Sequence, residues 1–212
     1  MLKNIILVCA LFMLPAAAYA QDAVVERPHW SFEMKAGNFE PDLPEWTRYH
    51  GRKDMPEYGA AVAYKFIRQV EAGVELGYLT AKGPALAPRH NNLLTGSSTY
   101  SLFPVNAFVI FRGVFNEKQW LVPYAGGGYT KMFYREQVEG QSTIKGSADG
   151  YHGRAGVQLL LDVLDPGGSN NMYMEYGIFH TYLFVEGKYT RAVVSSTNLG
   201  GTSYLAGLLF EF

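Results

Sequence analysis

Cysteine is almost missing from this chain: the single one, Cys9, falls within the first twenty residues. No disulfide framework therefore holds residues 21–212 together, and their fold must rest on packing or on lipid. Long apolar runs are also missing beyond the N-terminus, where glycine, proline or a charge interrupts every stretch within a few residues. That excludes a transmembrane helix, which needs roughly 20 consecutive apolar residues. Charge of one sign is not in excess, because 18 Lys and Arg stand against 19 Asp and Glu for a formal net charge of -1. A nucleic-acid binder driven by bulk positive charge is excluded on that ground. No linker divides the chain, so a single domain is expected.

What is present begins with a leader. Lys3 precedes the short apolar run IILVCALFML, and Ala18-Tyr19-Ala20 forms an A-x-A cleavage site. Residues 1–20 read as a secretory signal peptide and residues 21–212 as the mature domain. Cys9 lies inside the apolar run after Val8, which does not suit a lipidation site. Aromatics make up 15% of the chain, with 15 Tyr, alongside 23 Gly; this usage favours strands and barrel walls over helices.

The closing residues TSYLAGLLFEF alternate strictly. Tyr204, Ala206, Leu208, Phe210 and Phe212 form an apolar face, and Ser203, Leu205, Gly207, Leu209 and Glu211 a smaller, more polar one, as in a strand whose side chains point alternately to two sides. Two-faced stretches of similar length are expected at 29–40, 57–67, 70–80, 100–112, 120–136, 150–163, 172–185 and 202–212. Their connections alternate between short (Arg68-Gln69, 113–119, 164–171) and long (41–56, 81–99, 137–149, 186–201). The fold class expected is all-β, an eight-stranded antiparallel transmembrane β-barrel, since only a closed sheet pairs every backbone group in lipid.

Parity assigns the two faces. Trp30, Phe32, Met34 and Ala36 oppose Ser31, Glu33 and Lys35; Ala72, Val74, Leu76 and Tyr78 oppose Glu71, Gly73, Glu75 and Gly77. Extended to all strands, it puts twelve charges in the lumen: Glu33, Lys35, Lys65, Glu71, Glu75, Arg112, Lys131, Arg135, Arg154, Asp162, Glu175 and Glu211. An eight-stranded barrel has room for side chains only, so six acids and six bases are expected to pair into a plug. Aromatic girdles are expected on the lipid side, with Tyr58, Tyr78, Tyr134, Tyr151, Tyr182 and Tyr204 at one edge and Trp30, Phe66, Phe111, Trp120 and Phe212 at the other.

No catalytic, cofactor or metal site is expected. His180 projects to the lipid side of the seventh strand, but the residue two positions on is Tyr182 and not a serine nucleophile. His29, His50 and His90 lack metal-ligand spacing. Gly126-Gly127-Gly128 has no following Lys-Ser/Thr and sits mid-strand, where glycine permits curvature. In the first long loop Pro44 and Gly51 bracket a helical turn carrying Trp46 and Tyr49, suited to capping the mouth or anchoring at the interface. Arg48, Arg52, Lys53, Lys82 and Arg89 are expected to meet lipopolysaccharide phosphates, against the local acids Asp42, Glu45, Asp54 and Glu57.

The signal, eight strands, alternating loops and terminal Phe resemble the small outer-membrane β-barrel superfamily of OmpA-membrane-domain, OmpX, OmpW and opacity-type proteins. The resemblance implies an outer-membrane location, lipid and lipopolysaccharide as partners, and recognition of Tyr204, Ala206, Leu208, Phe210 and Phe212 by the barrel-assembly machinery. It also implies a non-enzymatic role in envelope structure or in surface interaction with an unnamed loop partner. A conduit for a small apolar solute is the second reading and a lipid-modifying enzyme the third.

Overall fold

Two-residue alternation runs through most of the chain, and the computed structural model turns it into one closed antiparallel sheet. Residues 27–43, 46–47, 51–86, 94–116, 119–138 and 142–212 are described; the expected signal peptide and Tyr49, Arg48, Arg89, His50 and His90 lie outside them. The strands are β1 (Trp30–Pro41), β2 (Met55–Ile67), β3 (Val70–Leu86), β4 (Leu94–Arg112), β5 (Leu121–Val138), β6 (Ile144–Leu160), β7 (His180–Val194), a two-residue β8 (Thr197–Asn198) and β9 (Gly201–Glu211). A helix, α1 (Pro166–Tyr176), links β6 to β7.

Consecutive long strands pair from β1 to β7, and β9 pairs with β7 on one side and β1 on the other. The β1–β9 ladder runs from Ser31 opposite Glu211 to Pro41 opposite Gly201 and closes the barrel without an edge. Backbone bonds between Trp30 and Phe212 put the start of β1 and the finish of β9 at one end, called here the terminal end. Gly128 lies so close to β4 that a Cβ there would collide with the carbonyl of Ala107, so the glycine run lets β5 pack tightly on its neighbour.

The wall is apolar outside, with Met34, Val62, Val74, Leu76, Val109, Leu183 and Val185 all exposed. Inside, side chains stack in three layers. Phe39, Met55, Leu79, Leu102 and Met132 form an apolar plug at the distal end, joined by Trp46 from the first loop. Charged residues occupy the middle. Val122, Leu160, Tyr182, Phe184 and Leu209 close the terminal end.

Three expectations are corrected. The segment expected as the first half of strand seven is α1, because Asp165 caps it by accepting from the Gly168 amide, Pro166 opens it, and Gly177 ends it at φ 68°. Consequently Glu175 is exposed on a helix and is no lumen charge. The long loop expected at 186–201 is instead the upper half of β7, followed by a turn in which Ser195 and Ser196 adopt positive φ (45° and 74°). The loops expected at 81–99 and 137–149 are shorter than expected because β3, β4, β5 and β6 extend into them.

Parity is reversed in two strands. In β5, Thr130, Met132 and Tyr134 point inward, whereas Lys131 and Arg135 point outward; in β7, Tyr182 is buried inside and not in a girdle. In β5 the cause is the layering, since toward the distal end the wall turns polar while the lumen turns apolar; in β7 the strand starts at His180, and Tyr182 joins the apolar layer at the terminal end. Single cysteines introduced at Lys131 and Met132 of the mature chain test this. A water-soluble maleimide should modify the folded Lys131→Cys protein rapidly and Met132→Cys only after unfolding; equal labelling would refute the inward-pointing Met132.

Candidate functional site: the charged barrel interior

Alternation on eight strands brings polar side chains from distant sequence positions into one layer. Among the described residues the buried charges are Glu33, Lys35, Glu57, Lys65, Glu71, Glu75, Arg112, Arg154, Glu186, Lys188 and Glu211, six carboxylates and five bases. Eight were expected from the sequence. Glu57, Glu186 and Lys188 were missed because Glu57, the first residue of the strand expected at 57–67, was counted with the acids near the first loop, and β7 was placed too early.

The network has two centres. Glu75 of β3 is the upper hub: its carboxylate meets Lys35 at 2.5 Å, Lys188 at 2.9 Å and Arg154 at 3.0 Å, and accepts a hydrogen bond from Asn106 at 2.9 Å. Lys35 also reaches Glu186 at 3.1 Å and Glu33 at 3.5 Å. Arg154 lies 3.3 Å from Glu33 and 3.5 Å from Glu186, and stacks 4.0 Å above the Phe108 ring. Lys188 donates to Glu57 at 2.6 Å and Tyr124 to Glu186 at 3.0 Å.

Glu211 of β9 is the lower hub. It pairs with Lys65 and Arg112, and Arg112 forks onto Gln158 through Nε (2.9 Å) and Nη2 (2.6 Å). Arg112 also faces Glu71 at 3.9 Å and sits 5.1 Å from the Tyr182 ring. That contact explains what an inward Tyr182 does. Thr130 bridges the layers, donating to Asn106 at 2.8 Å and meeting His152 Nδ1 at 2.9 Å.

The remaining expected site residues lie elsewhere. Lys131 faces outward against Asp149 at 3.3 Å, and Arg135 is exposed beside Gln137. Asp162 sits past the end of β6, at the terminal rim and outside the network, accepting from the Thr181 amide at 3.1 Å and meeting His180 Nδ1 at 2.7 Å. This pair fastens the connection from α1 to β7. Trp30, Phe66, Phe111 and Trp120 are exposed near the terminal end and Tyr58, Tyr78, Tyr151 and Tyr204 further up the wall, while Tyr134 and Tyr182 point inward. Ala206, Leu208 and Phe210 lie on the outer side of β9 with Tyr204, and Phe212 follows them half-exposed. Trp46 is buried edge-on against Tyr100, ring centroids 5.6 Å apart, so the first loop caps the mouth. His29 stacks on Tyr64 at 5.9 Å. Among the described residues no group of three or more His, Cys, Asp or Glu is arranged to hold a metal ion.

No family model and no curated protein matches the chain. Its fold does match solved structures. Neisserial surface protein A superposes with TM-score 0.56 at 14% identity, over 86% of this chain and 97% of that one. The outer membrane protein OprG from Pseudomonas aeruginosa gives 0.58 at 13%, over 88% and 97%. Ail of Yersinia pestis, in complex with the heparin analogue sucrose octasulfate, gives 0.51 at 11%, over 88% and 99%. The shared fold is that of small outer-membrane barrels.

Removing one member of the hub leaves its partners buried and unbalanced, at a cost of about 3–5 kcal/mol. Arg154→Ala should lower the unfolding free energy in detergent by that amount, whereas the exposed Lys131→Ala should cost less than about 1 kcal/mol. Equal effects in denaturant titrations would show that the interior pairs do not set the stability.

Proposed function

We propose that this protein is an integral outer-membrane barrel, non-enzymatic and closed to solutes, that serves envelope structure or surface contact through its distal end. The observation that carries this reading is the filled lumen. Three layers of inward side chains are buried from one end of the barrel to the other, among them the fully buried Phe39, Met55, Leu79, Glu75, Gln158, Phe184 and Leu209. A conducting lumen would favour charges of one sign along an open path, and here opposite charges neutralise one another.

The membrane location rests on the outer wall. Soluble monomers expose apolar patches of a few hundred Å² at most, yet apolar side chains cover this wall all round. In that setting the terminal end faces the periplasm, α1 lies at its rim, and the distal end faces outward. The outward stripe of β9 from Tyr204 to Phe212 is then available to the barrel-assembly machinery.

Against a catalytic role stands the chemistry of the one His–Asp pair among the described residues, His180 with Asp162, whose contacts bind the connection to β7 and bring in no serine or cysteine nucleophile. Reconstituted in planar bilayers, the protein should give a folded, heat-modifiable band on gels and no discrete conductance steps. Regular single-channel steps that Glu75→Gln alters would overturn the closed-barrel reading, and a stable monomer free of detergent would overturn the membrane location.

A further inference from the structure

The reversed parity of β5 leaves basic side chains where the sequence put none, on the outer wall. Lys131 and Arg135 of β5, Lys145 of β6, Arg191 of β7 and Lys82 of β3 all project outward from the distal third of the barrel. Arg135 and Lys145 face each other directly across the β5–β6 ladder. Like charges opposite one another in a ladder destabilise it unless an anion lies between them. Two carboxylates stand among them: Asp149, taken up by Lys131 at 3.3 Å and by the Tyr129 hydroxyl, and Asp42 just past β1, which accepts from the Tyr189 hydroxyl at 3.2 Å and from Asn198 at 3.1 Å. Among the described residues, Lys82, Lys145 and Arg191 have no carboxylate within ion-pair distance.

Height identifies the partner. Tyr129, Tyr151 and Tyr189 form a row of exposed aromatics, with Tyr129 opposite Tyr151, and such rings sit at the boundary between acyl chains and headgroups. Lys131 follows two residues beyond this row, Arg191 comes two after Tyr189 and stands opposite Tyr151, and Arg135 and Lys145 lie six beyond. At about 3.3 Å per residue and a strand tilt near 40°, that is roughly 5 to 15 Å above the boundary. The bases therefore point sideways into the headgroup layer and not upward from the mouth. They are also one-sided: the opposite wall presents Glu40 at this height, on the outer face of β1.

We propose that this β3–β7 wall is a binding site for the phosphate groups of the phosphorylated glycolipid, lipopolysaccharide, in the outer leaflet. The inference rests on the outer-membrane reading above and gives it a specific lipid contact. Lys and Arg supply charge-assisted hydrogen bonds to phosphate, and the tyrosine row packs against the sugar and acyl shoulder of the same molecule.

The test uses the full mature barrel refolded in detergent, with heat-modifiable mobility confirming that it is folded. Lipid A and its dephosphorylated form serve as probes, and retained lipid is counted by native mass spectrometry. Wild-type protein should retain lipid A at least about tenfold better than the dephosphorylated form, and K131Q/R135Q/K145Q/R191Q should lose about tenfold or more of that retention, given the size of one basic contact at a charged membrane surface. Glu40→Gln should retain lipid A as wild type does. Equal retention of the two lipids by wild-type protein overturns the inference even if the quadruple variant fails to fold. Displacement of lipid A by a sulfated polysaccharide would assign the wall to a water-borne polyanion and also overturn it. A folded barrel with no lipid preference refutes this inference alone, whereas a chain that stays soluble without detergent refutes the membrane reading too.

Discussion

The Glu75 carboxylate is where the barrel is tied together through its interior. It belongs to β3 and holds cations from β1, β6 and β7, with an amide from β4. Backbone ladders connect only neighbours around the wall, but this one side chain connects strands across the bore. A carboxylate so enclosed is costly to desolvate, and three cations with a hydrogen bond offset that cost where a single partner would not. The geometry around it follows: Lys35 and Arg154 each share Glu33 and Glu186 with the hub, and Lys188 continues the chain of pairs to Glu57.

Polar pairing in the middle lies between two apolar ends. The distal plug, joined by Trp46 from the first loop, and the terminal layer around Phe184 and Leu209 bury the charges from both sides. In low dielectric each pair is electrostatically stronger, and each unpaired group more costly, than at the surface. The buried charges and the apolar layers on either side of them thus form one arrangement.

The fold was legible in the sequence where a strand carries its charges in the middle layer. There β1, β2 and β3 turn Glu33, Lys35, Lys65, Glu71 and Glu75 inward against apolar bulk outward, which states their register, although Phe39, Met55 and Leu79 also turn inward at the distal end. β5 and β7 were misread because their informative residues fall where that rule reverses. Met132 and Tyr134 join an apolar plug while Lys131 and Arg135 project from the outer wall, and Tyr182 belongs to the terminal layer under Arg112. The helix was hidden by the Met–Tyr alternation of 172–176, although Asp165, Pro166 and Gly177 carried its capping signature. Glu186 and Lys188 were legible as alternating charges, but only once β7 is allowed to start at His180. Pairing partners such as Glu57 with Lys188 are set by the bend of the sheet and the shear of the barrel, which no local pattern encodes.

Glu211 lies on the last strand, yet it completes a cluster whose other members, Lys65, Glu71 and Arg112, come from β2, β3 and β4. Without β9 those strands would hold two cations against one carboxylate. The final strand therefore does more than close a seam: it supplies the missing counter-charge, so a β1–β9 seam paired out of register would leave Lys65 and Arg112 buried and unbalanced.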